Sequence, residues 1–155
     1  MLFRSDGDGD LDILLTGQRL YIGSTLQPIS SIYRNDSGTF TDINQLKDVR
    51  DSSVAWGDYD NDGDLDILLT GSIGRADSRI YRNDAGTFVD INAGLVGVLN
   101  SSVAWGDYDG DGDLDILLTG DDSYDRPISK IYRNNGADSF EVAADRKSTR
   151  LNSSH

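Results

Sequence analysis

The sequence predicts an all-β repeat protein made of about three units, each with four short antiparallel strands. The first observation is repetition. Ser52–Asp60 (Ser-Ser-Val-Ala-Trp-Gly-Asp-Tyr-Asp) recurs at Ser101–Asp109, and Asp-Leu-Asp-Ile-Leu-Leu-Thr-Gly occurs at 10–17, 64–71 and 113–120. The second is composition. The recurring segments are short, rich in β-branched and aromatic residues, and bounded by Gly, Asn and Asp. The third is that no stretch shows the 3.6-residue period of an amphipathic helix.

Each unit divides into four strands in the same order. Strand A is Ser-Val-Ala-Trp, at 53–56 and 102–105. Strand B is Leu-Asp-Ile-Leu-Leu-Thr, at 11–16, 65–70 and 114–119. Past its acid it is apolar at successive positions, which suits a strand covered on both faces. Strand C contains Ile-Tyr-Arg-Asn, at 32–35, 80–83 and 131–134. Strand D is Thr-Phe-x-Asp-Ile at 39–43 and 87–91, with the weaker Ser139-Phe140-Glu141-Val142 in the last unit. Four strands in a unit of about 50 residues is the pattern of a β-propeller blade. One blade cannot bury both faces alone, so blades must stack. The expected organisation is blade one over 6–49, lacking strand A, blade two over 50–98 and blade three over 99–144. Together they form part of a propeller. The segments that vary most between units are Gln18–Ser31, Ser72–Ser78 and Asp121–Ser129, all between strands B and C.

Between strands A and B lies an acidic loop. Counting Asp58 as position one, Asp58, Asp60 and Asp62 stand at positions one, three and five, Gly63 at six, Asp64 at seven and Asp66 at nine. Carboxylates alternating along a tight turn converge on one point, and the glycine permits the bend. Position seven is expected to offer its backbone carbonyl. The second full copy is Asp107, Asp109, Asp111, Asp113 and Asp115, and the first copy supplies Asp6, Asp8, Asp10 and Asp12. Hard oxygen ligands in this number favour Ca²⁺ over Mg²⁺, and the lack of His and Cys around them argues against zinc. An EF-hand would need a Glu at position twelve and flanking helices, whereas position twelve is Leu69 or Leu118 and the flanks read as strands. Carboxylates packed this closely repel strongly unless a cation balances them.

The segment Asp58-Tyr-Asp-Asn-Asp-Gly-Asp-Leu-Asp resembles the calcium hairpin of FG-GAP/VCBS repeats. The likeness extends over most of the chain, 6–144. It implies one Ca²⁺ per loop, a seven-bladed ring of the kind found in integrin alpha chains and many secreted bacterial proteins, and an extracellular or cell-surface role in adhesion or ligand binding. The first copy departs from the family at position one, which is Arg4 here.

The remaining features bound the function. The 155 residues carry a net charge of -13, which disfavours nucleic acid and anionic membranes as partners. No apolar run is long enough to span a bilayer. There is no cysteine, and the single histidine is His155, so thiol and histidine-dependent nucleophilic chemistries are not expected. The acids are committed to loops, so the reading is a binding or scaffold module and not an enzyme. The alternative is a non-catalytic accessory to a secreted enzyme, such as one that degrades polysaccharides, through a domain beyond this sequence. The expected partners are neighbouring blades and a protein or carbohydrate ligand on the face that carries the B–C and D–A connections, opposite the acidic loops. Trp56 and Trp105 are read as blade packing in preference to carbohydrate platforms, and so are Tyr33, Tyr81 and Tyr132. The ends read differently. Residues 145–155 resemble the in-frame translation of a common sequencing adapter and 1–5 its counterpart, so both are set apart from the fold and the tail is expected to be disordered.

Overall fold

A computed structural model describes residues 2–3, 6, 8–20 and 26–145. Among the described residues twelve strands make three four-stranded sheets. The first holds β1 (Leu2–Phe3), β2 (Asp12–Leu20), β3 (Leu26–Asp36) and β4 (Thr39–Asp42). The second holds β5 (Arg50–Gly57), β6 (Asp66–Ser72), β7 (Ala76–Asp84) and β8 (Thr87–Asp90). The third holds β9 (Leu99–Gly106), β10 (Asp115–Asp121), β11 (Pro127–Asn134) and β12 (Phe140–Asp145). Each is a sequential antiparallel meander, and no helix occurs among the described residues. The chain is an open arc of three propeller blades. Residues 146–155 of the proposed tail, and 1, 4 and 5 at the other end, lie outside the described residues.

Two details differ from the sequence reading. Blade one is not without its first strand: Leu2 and Phe3 pair with Ile13 and Asp12. Two residues suffice to occupy part of the β2 edge that would otherwise present unpaired backbone groups. The B–C connections are also shorter than their sequence variability suggests, because β2 runs on to Leu20 and β7 starts at Ala76. A hairpin keeps pairing as long as its backbone groups find partners, whatever its side chains are.

The blades stack through their inner strands: β2 packs on β5, β5 on β9, and β6 on β9. Alternation along the B strand divides the core in two. Ile67 and Leu69 join Leu14, Ile32, Val49, Tyr81 and Phe88 between blades one and two. Leu68 and Ile80 join Tyr59, Val98, Ile116, Leu118 and Tyr132 between blades two and three. All seven residues of β6 are consequently buried. Tyr59, Tyr81, Tyr132, Trp56 and Trp105 serve this packing, whereas Tyr33, expected to do the same, joins neither cluster. The Tyr81 and Tyr132 hydroxyls accept hydrogen bonds from the Lys47 and Val96 backbone amides, both at 2.9 Å. Trp56 meets the edge of Phe88 with ring centroids 6.2 Å apart. Trp105 lies flat on Tyr59 at 5.8 Å and donates its indole N–H to the Ala55 carbonyl. That close approach requires Gly57, where a Cβ would lie 2.7 Å from the Trp105 ring.

Candidate metal centre

The acidic loops join strand one to strand two of each blade, and Gly63 at the sixth position has φ +99°, a conformation that L side chains rarely adopt. Side chains shape the turn. In the second blade Asp58 Oδ2 accepts the Gly63 amide at 3.1 Å, Asp60 Oδ1 the Asp62 amide at 3.3 Å, and Asp62 Oδ1 the Asp64 amide at 2.8 Å. The third blade repeats the pattern: Asp107 Oδ2 accepts Gly112 at 3.2 Å, and Asp111 Oδ1 accepts Asp113 at 3.0 Å. In the first, Asp6 Oδ1 accepts Asp8 and Asp8 Oδ1 accepts Asp10. The bonds to the residue two positions on are Asx-type turns, while Asp58 and Asp107 reach five residues on and close the whole loop.

The turns gather three carboxylate groups: Asp58, Asp60 and Asp62; Asp107, Asp109 and Asp115; Asp6, Asp8 and Asp36. Within each group the candidate ligand oxygens lie within 4.8 Å of one another. Oxygens bonded to one calcium at about 2.3–2.6 Å can be at most roughly 5 Å apart, so the spread fits a single ion. Asp58 supplies a further test. Its Oδ1 is shielded from solvent and has no hydrogen-bond partner among the described residues. An anionic oxygen withdrawn from water without a partner is destabilising, and a cation is what would balance it.

Local electrostatics agree. Partial desolvation of an otherwise exposed side chain, with repulsion from Asp62, raises the Asp60 carboxyl above the usual carboxylate range. Burial pushes Asp66 up to about 7, against the opposing effect of two backbone hydrogen bonds. Arginines of the third strands approach the loops as counter-charges: Arg133 Nε stands 3.1 Å from Asp109, and Arg34 Nε 3.8 Å from Asp6. Both arginines are well exposed, so solvent screens these contacts and they are worth little.

Not every acid predicted from the sequence joins a group. Asp66, fully buried, accepts the Tyr59 amide at 3.0 Å on one oxygen and the Asn83 amide at 2.8 Å on the other. It braces the loop to the end of β7. Asp115 makes the equivalent bonds to Tyr108 and Asn134 yet still belongs to its group. Asp12 accepts the Asn35 amide at 2.8 Å. The position-seven side chains reach outward. Asp10 accepts the Ser37 amide at 2.7 Å, Asp64 the Ala85 amide at 3.1 Å, and Asp113 the Asn61 side-chain amide at 3.0 Å. Asp111, expected as a ligand, lies 3.9 Å from Arg133. Asp36, from the β3–β4 turn, was not anticipated. The signal was present in the sequence, since an acid follows Ile-Tyr-Arg-Asn at Asp36 and Asp84, but only the fold brings that turn beside the loop.

These bonds place the loops and the turns between third and fourth strands on one face. The opposite face is joined separately. Ser123 Oγ accepts the Ala76 amide, Asp77 bridges to Val98, and Asp48 accepts the Ser30 amide.

A family model described as FG-GAP-like repeat matches residues 6–69 and again 58–118. The chain belongs to the FG-GAP-like repeat family. Each match starts at an acidic loop and ends in the second strand of the next blade. The FG-GAP sequence unit therefore straddles the blade boundary, tying each blade to its successor through chain continuity. No curated protein and no solved structure shows significant similarity to the chain. FG-GAP propellers are in general non-catalytic modules, and they typically occur in extracellular proteins. Among the described residues no helix is long and apolar enough to cross a membrane.

Proposed function

We propose that this FG-GAP arc is a calcium-stabilised extracellular scaffold that presents a binding surface on the face opposite its acidic loops. The observation that carries the calcium reading is the buried, unpartnered Asp58 Oδ1 within a group of three converging carboxylates. Asp58, Asp60 and Asp62 would hold one ion, Asp107, Asp109 and Asp115 a second, and Asp6, Asp8 and Asp36 a third. Oxygen-only donors suit Ca²⁺, and several of them on a flexible loop suit it better than the strict octahedron of Mg²⁺. The ion's contribution is neutralisation: it lets a hairpin crowded with carboxylates stay closed, so metal binding and folding are linked.

The adhesion or ligand-binding part of the proposal rests on architecture. Rigid stacked sheets carry connections of differing length and sequence on the face away from the loops, and variable loops on a rigid scaffold are where recognition usually resides. A protein or carbohydrate ligand would meet that face. Calorimetric titration of the metal-stripped protein with CaCl₂ tests the first part. Heat of binding with a stoichiometry of two to three is expected, and absence of binding at millimolar calcium refutes the reading. Replacing residues 73–75 and 122–126 with Gly-Ser linkers tests the second, since binding to an identified ligand should fall.

A further inference from the structure

We propose that the acidic loops of blades two and three bind calcium cooperatively, coupled by hydrogen bonds that cross the blade boundary. The inference rests on the calcium reading above. It arises from two asparagines that no ligand set requires. Asn61, fourth in the second blade's loop, donates its side-chain amide to Asp113 Oδ1, seventh in the third blade's loop, at 3.0 Å. Asn134 sits buried at the end of β11. Its side-chain amide donates to the Tyr59 carbonyl of one loop at 2.9 Å and the Leu114 carbonyl of the other at 3.3 Å. Its backbone amide donates to Asp115, a member of the third-blade group, at 2.8 Å.

Tyr59 completes the connection. It lies between Asp58 and Asp60 in sequence, and blade three holds it in three ways. Asn134 donates to its carbonyl, Trp105 stacks on its ring, and Asp138 accepts its hydroxyl at 2.5 Å. Asp138 also pairs with Arg82 at 2.7 Å, so the β11–β12 turn closes over the second loop. The residue that positions two of the three carboxylates in blade two is thereby anchored in blade three.

The sign follows from ordering. Closing the third loop on an ion fixes Asp113, Leu114 and Asp115, and through them Asn61, Asn134 and Tyr59. The second loop then loses less conformational freedom when it closes, which is positive coupling. Charge opposes this, because an ion in one loop lowers the negative potential at the other. That effect is screened beyond a Debye length of about 8 Å at physiological salt, and several carboxylates remain around each ion. Direct hydrogen bonds are not screened in this way, so ordering prevails and an occupied neighbour should tighten each site by about fivefold.

The test uses the full chain, stripped of metal and titrated with CaCl₂ at 0.15 M salt. Amide NMR of Gly63 and Gly112 reports the two loops separately, since these donate to Asp58 and Asp107 respectively. Asp109→Asn, at an exposed residue, weakens the third site. It should move the Gly63 midpoint to higher calcium, by about twofold if the two sites fill together and by up to about fivefold if the third site fills first. Reciprocity requires Asp60→Asn to move the Gly112 midpoint in the same direction, with one coupling factor accounting for both shifts. Asn61 has φ +62°, so Asn61→Gly keeps the backbone while deleting one bridge, and it should at least halve both effects. A Gly63 midpoint that responds to calcium but ignores Asp109→Asn overturns the coupling. No calcium response at Gly9, Gly63 or Gly112 overturns the calcium reading with it.

Discussion

Replacing Asp58 with asparagine separates an ion-binding carboxylate from one that merely braces a turn, because the two roles predict opposite signs without calcium. Asp58, Asp60 and Asp62 hold their oxygens within 4.8 Å of each other. Two unit charges at that distance repel by about 0.9 kcal/mol in water and about 3.5 kcal/mol at an effective dielectric of 20. Asp60 and Asp62 are exposed, so the lower value applies, and removing Asp58 deletes two such pairs, a relief of about 2 kcal/mol. The substitution also weakens the bond that Gly63 donates to Asp58, at about 1 kcal/mol. The calcium-free variant should therefore be as stable as the native chain or more stable by about 1 kcal/mol. At a calcium concentration 100 times Kd, the native chain gains about 2.7 kcal/mol per occupied site, and the variant forfeits that at the second loop. For a chain of this size the difference is about 5–10 °C in Tm. Thermal melts by circular dichroism, in EDTA and in millimolar calcium, read both signs. If the variant loses as much stability in EDTA as in calcium, Asp58 is only a turn brace and the ion-binding argument fails.

Three further outcomes are expected. Leu68→Ala, which empties a fully buried position between blades two and three, should destabilise by about 2–5 kcal/mol, whereas Leu117→Ala, at the equivalent position on the open face of blade three, should change stability by about 0.5 kcal/mol or less; urea unfolding compares them. Gly57→Ala drives a methyl to 2.7 Å from the Trp105 ring and should cost about 1–3 kcal/mol, with a change in Trp105 fluorescence marking the displaced stack. Without metal, the Asp66 carboxyl binds its proton more tightly folded than unfolded, so stability should fall as pH rises from about 4 through about 7, and saturating calcium should flatten that slope; melts of chelator-treated protein between pH 4.5 and 8 would show it, and an apo stability that rises across this range would contradict it.

Most of the architecture was legible in the chain. Repetition revealed the units, β-branched and aromatic runs the strands, and the Asp spacing the loops, because each of these is a local property. The sheets follow the sequential order A-B-C-D throughout. The candidate site was only half legible. Of the odd-numbered acids, Asp58, Asp60 and Asp62 come together in blade two, yet Asp66 turned to buried backbone amides, Asp111 stands outside the third-blade group, and Asp36 arrived from a different hairpin. Sequence spacing shows which oxygens can reach a common point, but not which of them the neighbouring hairpin claims first.

The three copies of Asp-Ile-Leu-Leu-Thr-Gly make the division plain. Their sequence alone determined that each is a strand, that successive residues face opposite ways, and that the acid at its head stands by a loop. It could not assign their burial. Leu14 is 3% exposed and Leu15 47% in blade one, Leu68 and Leu69 are both buried in blade two, and in blade three Leu117 is 47% exposed and Leu118 buried. Identical segments differ because burial belongs to the pair of surfaces in contact. Among the described residues the middle blade is covered on both faces, the first only by its successor and the third only by its predecessor. The same stacking decides where Tyr59 is anchored and which loops share a bridge, and these depend on how one blade meets the next.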